Sequence, residues 1–108
     1  MMLITTTESV SNHKVVKTYG LVRGSSVRAR NIGKDILAIF RMIAGGEVSE
    51  YSKLLNESRD QALQRMVDSA TKLNANAIIS TRIVTSTVAS GAAEILCYGT
   101  AVKIELEN

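Results

Sequence analysis

The sequence predicts an α+β fold: a small sheet with an N-terminal strand pair, two helices and a C-terminal strand pair, with the sheet packed under the second helix. The strands are predicted from β-branched and apolar residues that alternate in two regions, near the N-terminus and over residues 77–106. The helices are predicted because apolar residues recur every three or four positions between residues 31 and 73. A chain of 108 residues fits a single domain over residues 1–108.

The N-terminal strands are expected at residues 2–6 and 13–23, separated by a turn cluster of serine and asparagine. Gly20 and Gly24 interrupt the second strand pattern. A glycine inside a strand commonly marks a bulge, a bend or the close approach of another backbone. We expect one of these at each position.

The first helix is predicted over residues 31–44, with Asn31 as its N-cap and two glycines after its end. The second begins near Ser49 and continues to Leu73. Asn74 then suits the left-handed position that ends a helix.

The C-terminal strands are predicted at residues 77–84 and 94–106, joined by a turn of small residues over 86–93. The last strand is apolar on both faces, and one face carries only Ile95, Cys97, Gly99 and Ala101. Strands of this kind are usually covered on both sides. In a chain this short, we expect another subunit to provide the second cover.

Charge and composition exclude several classes. The net charge is only +3, and the one local basic cluster is Arg23, Arg28, Arg30 and Lys34, so nucleic-acid binding is not expected. The N-terminus lacks the pattern of a signal peptide, and no window is apolar enough to span a bilayer. We therefore expect a cytoplasmic protein with no membrane partner.

Metal and nucleophile chemistry have little support in the residue spacing. The weak metal-ligand candidates are His13 and Cys97, the single histidine and the single cysteine. Glu94 lies at an odd offset from Cys97, which places the two on opposite faces of a strand. A site shared between subunits stays open, and the sequence assigns no cofactor. No base lies near Cys97 in the sequence, so we expect it to be structural rather than catalytic.

Two charged residues stand beside apolar helical stripes. Arg59 falls within the widened apolar arc of the second helix, and Asp35 flanks the stripe of the first. Such charges are paired or extend their heads to water. The hypothesis is that both serve a buried polar cluster or a subunit interface. An interface role is favoured over catalysis, because no base–nucleophile pair accompanies them.

Six stretches of the chain resemble the YbjQ family of small proteins known from bacteria. They are residues 27–36 (VRARNIGKDI), 45–47 (GGE) with 50–51 (EY), 58–59 (SR) with 61–62 (QA) and 65–66 (RM), 73–78 (LNANAI), 91–96 (GAAEIL) and 98–102 (YGTAV). The resemblance implies a dodecin-like subunit topology and a ring-shaped homopentamer. The family is functionally uncharacterised and is often labelled a heavy-metal-binding domain, but His13 and Cys97 depart from its usual residues.

The function predicted from these observations is a homo-oligomeric, pentameric binding or scaffold protein with sites between subunits. The candidate binding or interface residues are Arg30, Asn31, Asp35, Glu50, Tyr51 and Arg59. A heavy-metal-binding module is the alternative. An enzyme with an inter-subunit site comes third, because no nucleophile–base pair is visible, and we expect no catalytic activity.

Overall fold

The computed structural model describes residues 1–29, 48–89 and 92–108, which form four strands and a helix. In chain order these elements are β1 (Leu3–Ile4), β2 (His13–Ala29), α1 (Val48–Lys72), β3 (Ala77–Ala89) and β4 (Ala92–Leu106). The strands make a mixed sheet in the order β1-β3-β4-β2. The predicted α+β class, long helix and C-terminal strand pair are confirmed, and the predicted helix over residues 31–44 lies outside the described residues.

The expected N-terminal strand pair is wrong. β1 pairs in parallel with β3, where Leu3 lies opposite Ala77, whereas β2 pairs antiparallel with β4. The segment after β1 also hydrogen-bonds to β3, since the Thr5 amide donates to the Ile78 carbonyl at 3.0 Å. β4 thus lies between β2 and β3, and β1 pairs with the other edge of β3.

The strands also extend beyond the predicted ends. β2 reaches Ala29, and β3 and β4 continue to a register pair between Ala89 and Ala92. Small polar residues such as Ser25 and Ser26 favour strands weakly by themselves. Here the long ladder supplies partners for their backbones and overrides that preference, so much of the predicted turn over residues 86–93 is strand.

The β2–β4 ladder makes the described chain elongated. It extends from the pair His13–Leu106 to the pair Ala29–Ala92, and the principal extents are 57 × 25 × 19 Å. The Cα radius of gyration is 17.5 Å, whereas a compact chain of this length has roughly 13 Å. The described residues are therefore less compact than a globular chain of this length.

Helix α1 packs directly against the backbone of β2 at Gly24. A Cβ added there would lie 2.2 Å from the Ala62 carbonyl oxygen and 2.3 Å from the Met66 amide nitrogen, which confirms the predicted close approach. The core under the helix includes the face of β4 that carries Ile95, Cys97 and Ala101. Its buried members are Val22, Ala62, Met66, Ala70, Ile78, Ile95, Cys97 and Ala101.

Two special backbone positions follow the sequence prediction. Gly20 has φ +114° beside a register shift in β2, as expected of a bulge. Asn74 has φ 67° two residues beyond the last helical residue, Lys72, and its amide donates to the Thr71 carbonyl at 3.0 Å. Asn74 thus ends α1 in the left-handed conformation.

Candidate functional site

One face of the sheet points away from α1, and we call it the open face. Gly24 and Cys97 are register partners on the helix side, so their neighbours along each strand alternate to the open face. There, Arg23, Tyr98 and Arg82 form one cross-strand row, and Ser25, Leu96 and Val84 form the next. Val10 covers the far end of this face, where it packs against a buried cluster of Ala77, Val102 and Ile104.

The remainder of the open face carries exposed apolar side chains. Leu21 is 72% exposed, Val84 45% and Tyr98 36%. Val27, on the same face of β2, is 54% exposed. Several exposed apolar side chains on one face of a small domain are typical of an interaction site.

A cleft of about 440 Å³ is lined by residues of β2, β4 and α1 at the β2 side of the sheet, and we call it the two-arginine cleft. Its lining residues are Arg23, Gly24, Ser25, Arg65, Glu94 and Leu96. Four come from adjacent rows of the ladder, because Ser25 pairs with Leu96, Arg23 precedes that row, and Glu94 lies in the row after it.

Arg65 is the lining residue that comes from the helix. Its Nη1 donates a hydrogen bond to the Ser25 carbonyl oxygen. β2 is one of the two edge strands of the described sheet, and this bond gives a partner to a carbonyl group on that strand. The same bond holds the guanidinium at the cleft, with its other N–H groups available for further partners.

The charges of the cleft do not balance. Two guanidinium groups face a single carboxylate, that of Glu94. Within residues 1–29, 48–89 and 92–108, no ion pair joins Arg23 to an acidic side chain. The cleft therefore carries a net positive charge, and Glu94 lies two rows along the ladder from Arg23.

The residues predicted from the sequence lie elsewhere. Arg30, Asn31 and Asp35 are outside the described residues, and Glu50 and Tyr51 lie in the first turn of α1, where the backbone alone is described. These five stay predictions.

Arg59 does not belong to a buried polar cluster within the described chain. It is exposed, and its Nη1 donates to the Asn56 side-chain oxygen at 3.2 Å. Over residues 55–72 of α1, the buried stripe is narrower than the apolar arc drawn from the sequence, with Ser58, Ala62, Met66 and Ala70 as the fully buried positions. A guanidinium beside such a stripe extends its charged head into water.

His13 and Cys97 lie far apart in the chain. The His13 Nδ1 is 2.7 Å from the Ser11 carbonyl oxygen, at the end of β2 where residue 13 pairs with Leu106. Cys97 pairs with Gly24, roughly 30 Å farther along the ladder. The described chain does not bring these two ligands together.

The environment of Cys97 does not fit a soft metal either. The side chain is fully buried, and this burial raises the pKa of the Cys97 thiol. Metals bind the thiolate form, which a raised pKa disfavours. Among the described residues, no three His, Cys, Asp or Glu side chains are placed to hold a metal ion.

Sequence reasoning missed most of the two-arginine cleft. The sequence places Arg23 in the basic cluster and gives no site prediction for Ser25, Arg65 or Glu94. The alternation of β2 places residues 23, 25 and 27 on one face and was a usable signal. Nothing in the local sequence predicts the β2–β4 register that brings Glu94 to the cleft. The same is true of the packing of α1 that brings Arg65 there.

The chain matches known proteins over nearly its whole length. A family model named YbjQ and described as "Putative heavy-metal-binding" matches residues 2–105. A UPF0145 protein of Methanosarcina acetivorans is 50% identical over 103 residues, which cover 95% of this chain and 97% of the relative. A UPF0145 protein of Thermosipho africanus is 46% identical over 107 residues, covering 99% of each chain.

A solved structure supports the fold. The crystal structure of a protein of unknown function of the DUF74 family from Pediococcus pentosaceus matches with a TM-score of 0.65 at 18% identity, covering 96% of this chain and 98% of the other. The relatives include archaea, so the expectation of a purely bacterial family was too narrow. In the described part of this chain, no helix is both long enough and apolar enough to cross a bilayer.

Proposed function

This chain belongs to the uncharacterised YbjQ (UPF0145) family, and we propose that it is a cytoplasmic, non-catalytic, homo-oligomeric binding or scaffold protein with sites between its subunits. The proposed assembly is a pentameric ring of subunits with dodecin-like topology. The number of subunits and that topology derive from the family resemblance alone.

The observation that carries the proposal is the exposed apolar surface of the open face. Leu21 and Val27 on β2 and Val84 on β3 leave about half or more of their side chains in water. Covering apolar surface contributes roughly 25 cal/mol per Å². A second copy of the chain on this face would bury those side chains and remove their apolar surface from water.

Arg59 is the one predicted interface residue whose side chain the structure describes, and its position is compatible with this proposal. Arg59 is exposed on α1 and is free to contact a neighbouring subunit. We expect Arg59→Ala to weaken assembly, and an unchanged oligomer mass and melting temperature in that variant would contradict the role of Arg59 alone.

A heavy-metal-binding module is the second candidate, because the description of the family names that activity. Cys97 and His13 do not meet within one chain, so a soft metal would need donors from two subunits. Dialysis of the purified protein against a chelator, followed by metal analysis, tests this candidate. Retained metal in a fixed ratio to subunits would favour it, and metal-free protein would remove it.

Native mass spectrometry of gently purified protein, without added metal or ligand, tests the leading proposal. We expect the mass of a ring, and five subunits would agree with the family resemblance. A monomer at micromolar concentration would overturn the proposal. Any adduct retained by the ring would be weighed directly, which separates a metal ion from an organic molecule.

A further inference from the structure

We propose that the two-arginine cleft binds a small molecule through an oxyanion, a phosphate or carboxylate group held between Arg23 and Arg65. A volume of about 440 Å³ lies within the range of clefts that take small ligands, roughly 300–1,000 Å³. The paired Ser25 and Leu96 supply a hydroxyl group and an apolar side chain between the charged residues.

The first step is the geometry of the two cations. Guanidinium groups present forked N–H donors that match the oxygens of carboxylate and phosphate groups. The hydrogen bond from Arg65 to the Ser25 carbonyl already fixes one fork at the cleft. Less side-chain freedom is then lost when an anion binds, which favours affinity.

The second step is the charge that remains available. Arg23 is exposed and has no acidic partner in the described chain. An oxyanion between Arg23 and Arg65 would therefore gain two cationic partners without displacing a resident carboxylate from Arg23. Charge-assisted hydrogen bonds of this kind are about twice as strong as those between neutral groups.

Glu94 defines the other end of the ligand. Its carboxylate lines the same cleft and accepts hydrogen bonds, while it repels a second negative group. The ligand class is thus a molecule with one oxyanion at the arginine end and a hydroxyl or ammonium donor toward Glu94. All six lining residues come from one chain, so a single subunit can form the site. The inference rests on the proposed function in one respect, because a neighbouring subunit would cover the side of the cleft that faces water.

Isothermal titration of the full chain with inorganic phosphate, and separately with acetate, tests the proposal. We expect at least one of the two anions to bind. Tighter phosphate binding would identify a phosphate group, and tighter acetate binding a carboxylate. Absence of heat with both anions at millimolar concentrations would overturn the proposal.

Substitutions then test the two cations. Arg23→Gln and Arg65→Gln should each weaken the bound anion about tenfold or more. Lys72→Gln removes one positive charge from an exposed position in the last turn of the same helix, outside the cleft, and its affinity should equal that of the wild type. Equal weakening in all three variants would show a general charge effect and overturn the proposal.

A separate variant guards against loss of folding. Arg65→Lys keeps the charge but loses the fork, and it should also bind the anion more weakly. The Arg23 side chain makes no hydrogen bond or ion pair in the described chain, so its substitution should leave the circular dichroism spectrum of the folded protein unchanged.

Native masses measured on the same samples separate the two proposals. A monomer that binds the anion would contradict the assembly alone, and a ring that binds neither anion would contradict the cleft alone.

Discussion

At Gly24 the distance between helix and sheet is set by the absence of a single side chain. The Ala62 carbonyl and the Met66 amide lie where a Cβ would stand, and neither backbone group can rotate away as a flexible side chain does. We expect Gly24→Ala to lower the free energy of unfolding by about 3 kcal/mol or more, because the whole helix must shift. Urea denaturation followed by circular dichroism measures this loss.

Gly20 provides the matched control, since it lies in the same strand with open space around it. No atom lies within 4 Å of an added Cβ there, but φ is +114°. Gly20→Ala should therefore lose stability through backbone strain alone, by about 1–2 kcal/mol. A loss for Gly24→Ala no larger than that for Gly20→Ala would contradict the close packing of α1.

Cys97 gives a pH dependence whose sign follows from its burial. Burial raises the pKa of the Cys97 thiol in the folded chain above that of the unfolded chain. Above the unfolded pKa, about 8.5, the unfolded chain loses the proton first, so unfolding becomes easier as pH rises. The stabilising effect of Cys97 is full below that pH and is lost as pH rises through the folded pKa.

The measurement is the difference in unfolding free energy between wild type and Cys97→Ala at pH 7 to 10. We expect this difference to stay constant up to about pH 8 and then move against the wild type, by up to about 1.4 kcal/mol per pH unit. The subtraction removes the lysines and tyrosines, which titrate in both proteins. A difference that is constant across the range would show that the thiol is not buried in solution.

At the scale of elements, the end of α1 depends on one backbone conformation. Asn74 adopts φ 67°, which glycine and asparagine tolerate and alanine does not. We expect Asn74→Ala to lower the melting temperature, with a loss of about 1 kcal/mol, and Asn74→Gly to match or exceed the wild type. If the two variants melt together, the left-handed helix end contributes little to stability.

The helix and its end were predictable because their signals are local. A 3.6-residue period predicts α1 within a residue or two of Val48–Lys72, and Asn74 follows the last apolar position. The extent of β2 beyond Arg23 was not predictable, because serine and glycine favour strands only when a partner strand is already in place. The parallel pairing of β1 with β3 likewise depends on segments far apart in the sequence.

In the two-arginine cleft, likewise, the local sequence predicts some of the neighbours, and the others depend on segments far apart in the chain. Alternation along β2 places Arg23 and Ser25 on one face, but only the ladder register brings Glu94 beside them. Arg65 enters because α1 crosses β2 at Gly24, where the chain permits a close approach. Arg59 was assigned to the buried arc because a helical wheel gives the direction of a side chain and not the width of the surface that covers it.

At the scale of the whole molecule, the described chain covers one side of its sheet and leaves much of the other in water. The helix covers Cys97 and Ala101 completely, whereas Leu21, on the open face of β2, is 72% exposed. With a radius of gyration of 17.5 Å, the described chain is less compact than a globular domain of equal length. A stable monomer would have to tolerate this exposed apolar face.

We expect Leu21→Glu to shift the native mass from the oligomer to the monomer, because a carboxylate buried in an apolar interface without a partner is costly. Leu73→Glu is the control, since Leu73 is also exposed, at 42%, but lies at the end of α1 on the other side of the sheet. Its mass should equal that of the wild type. The assembled wild type should also melt at a higher temperature as its concentration rises, whereas the Leu21→Glu monomer should not. An oligomer that survives Leu21→Glu would place the subunit interface away from the open face.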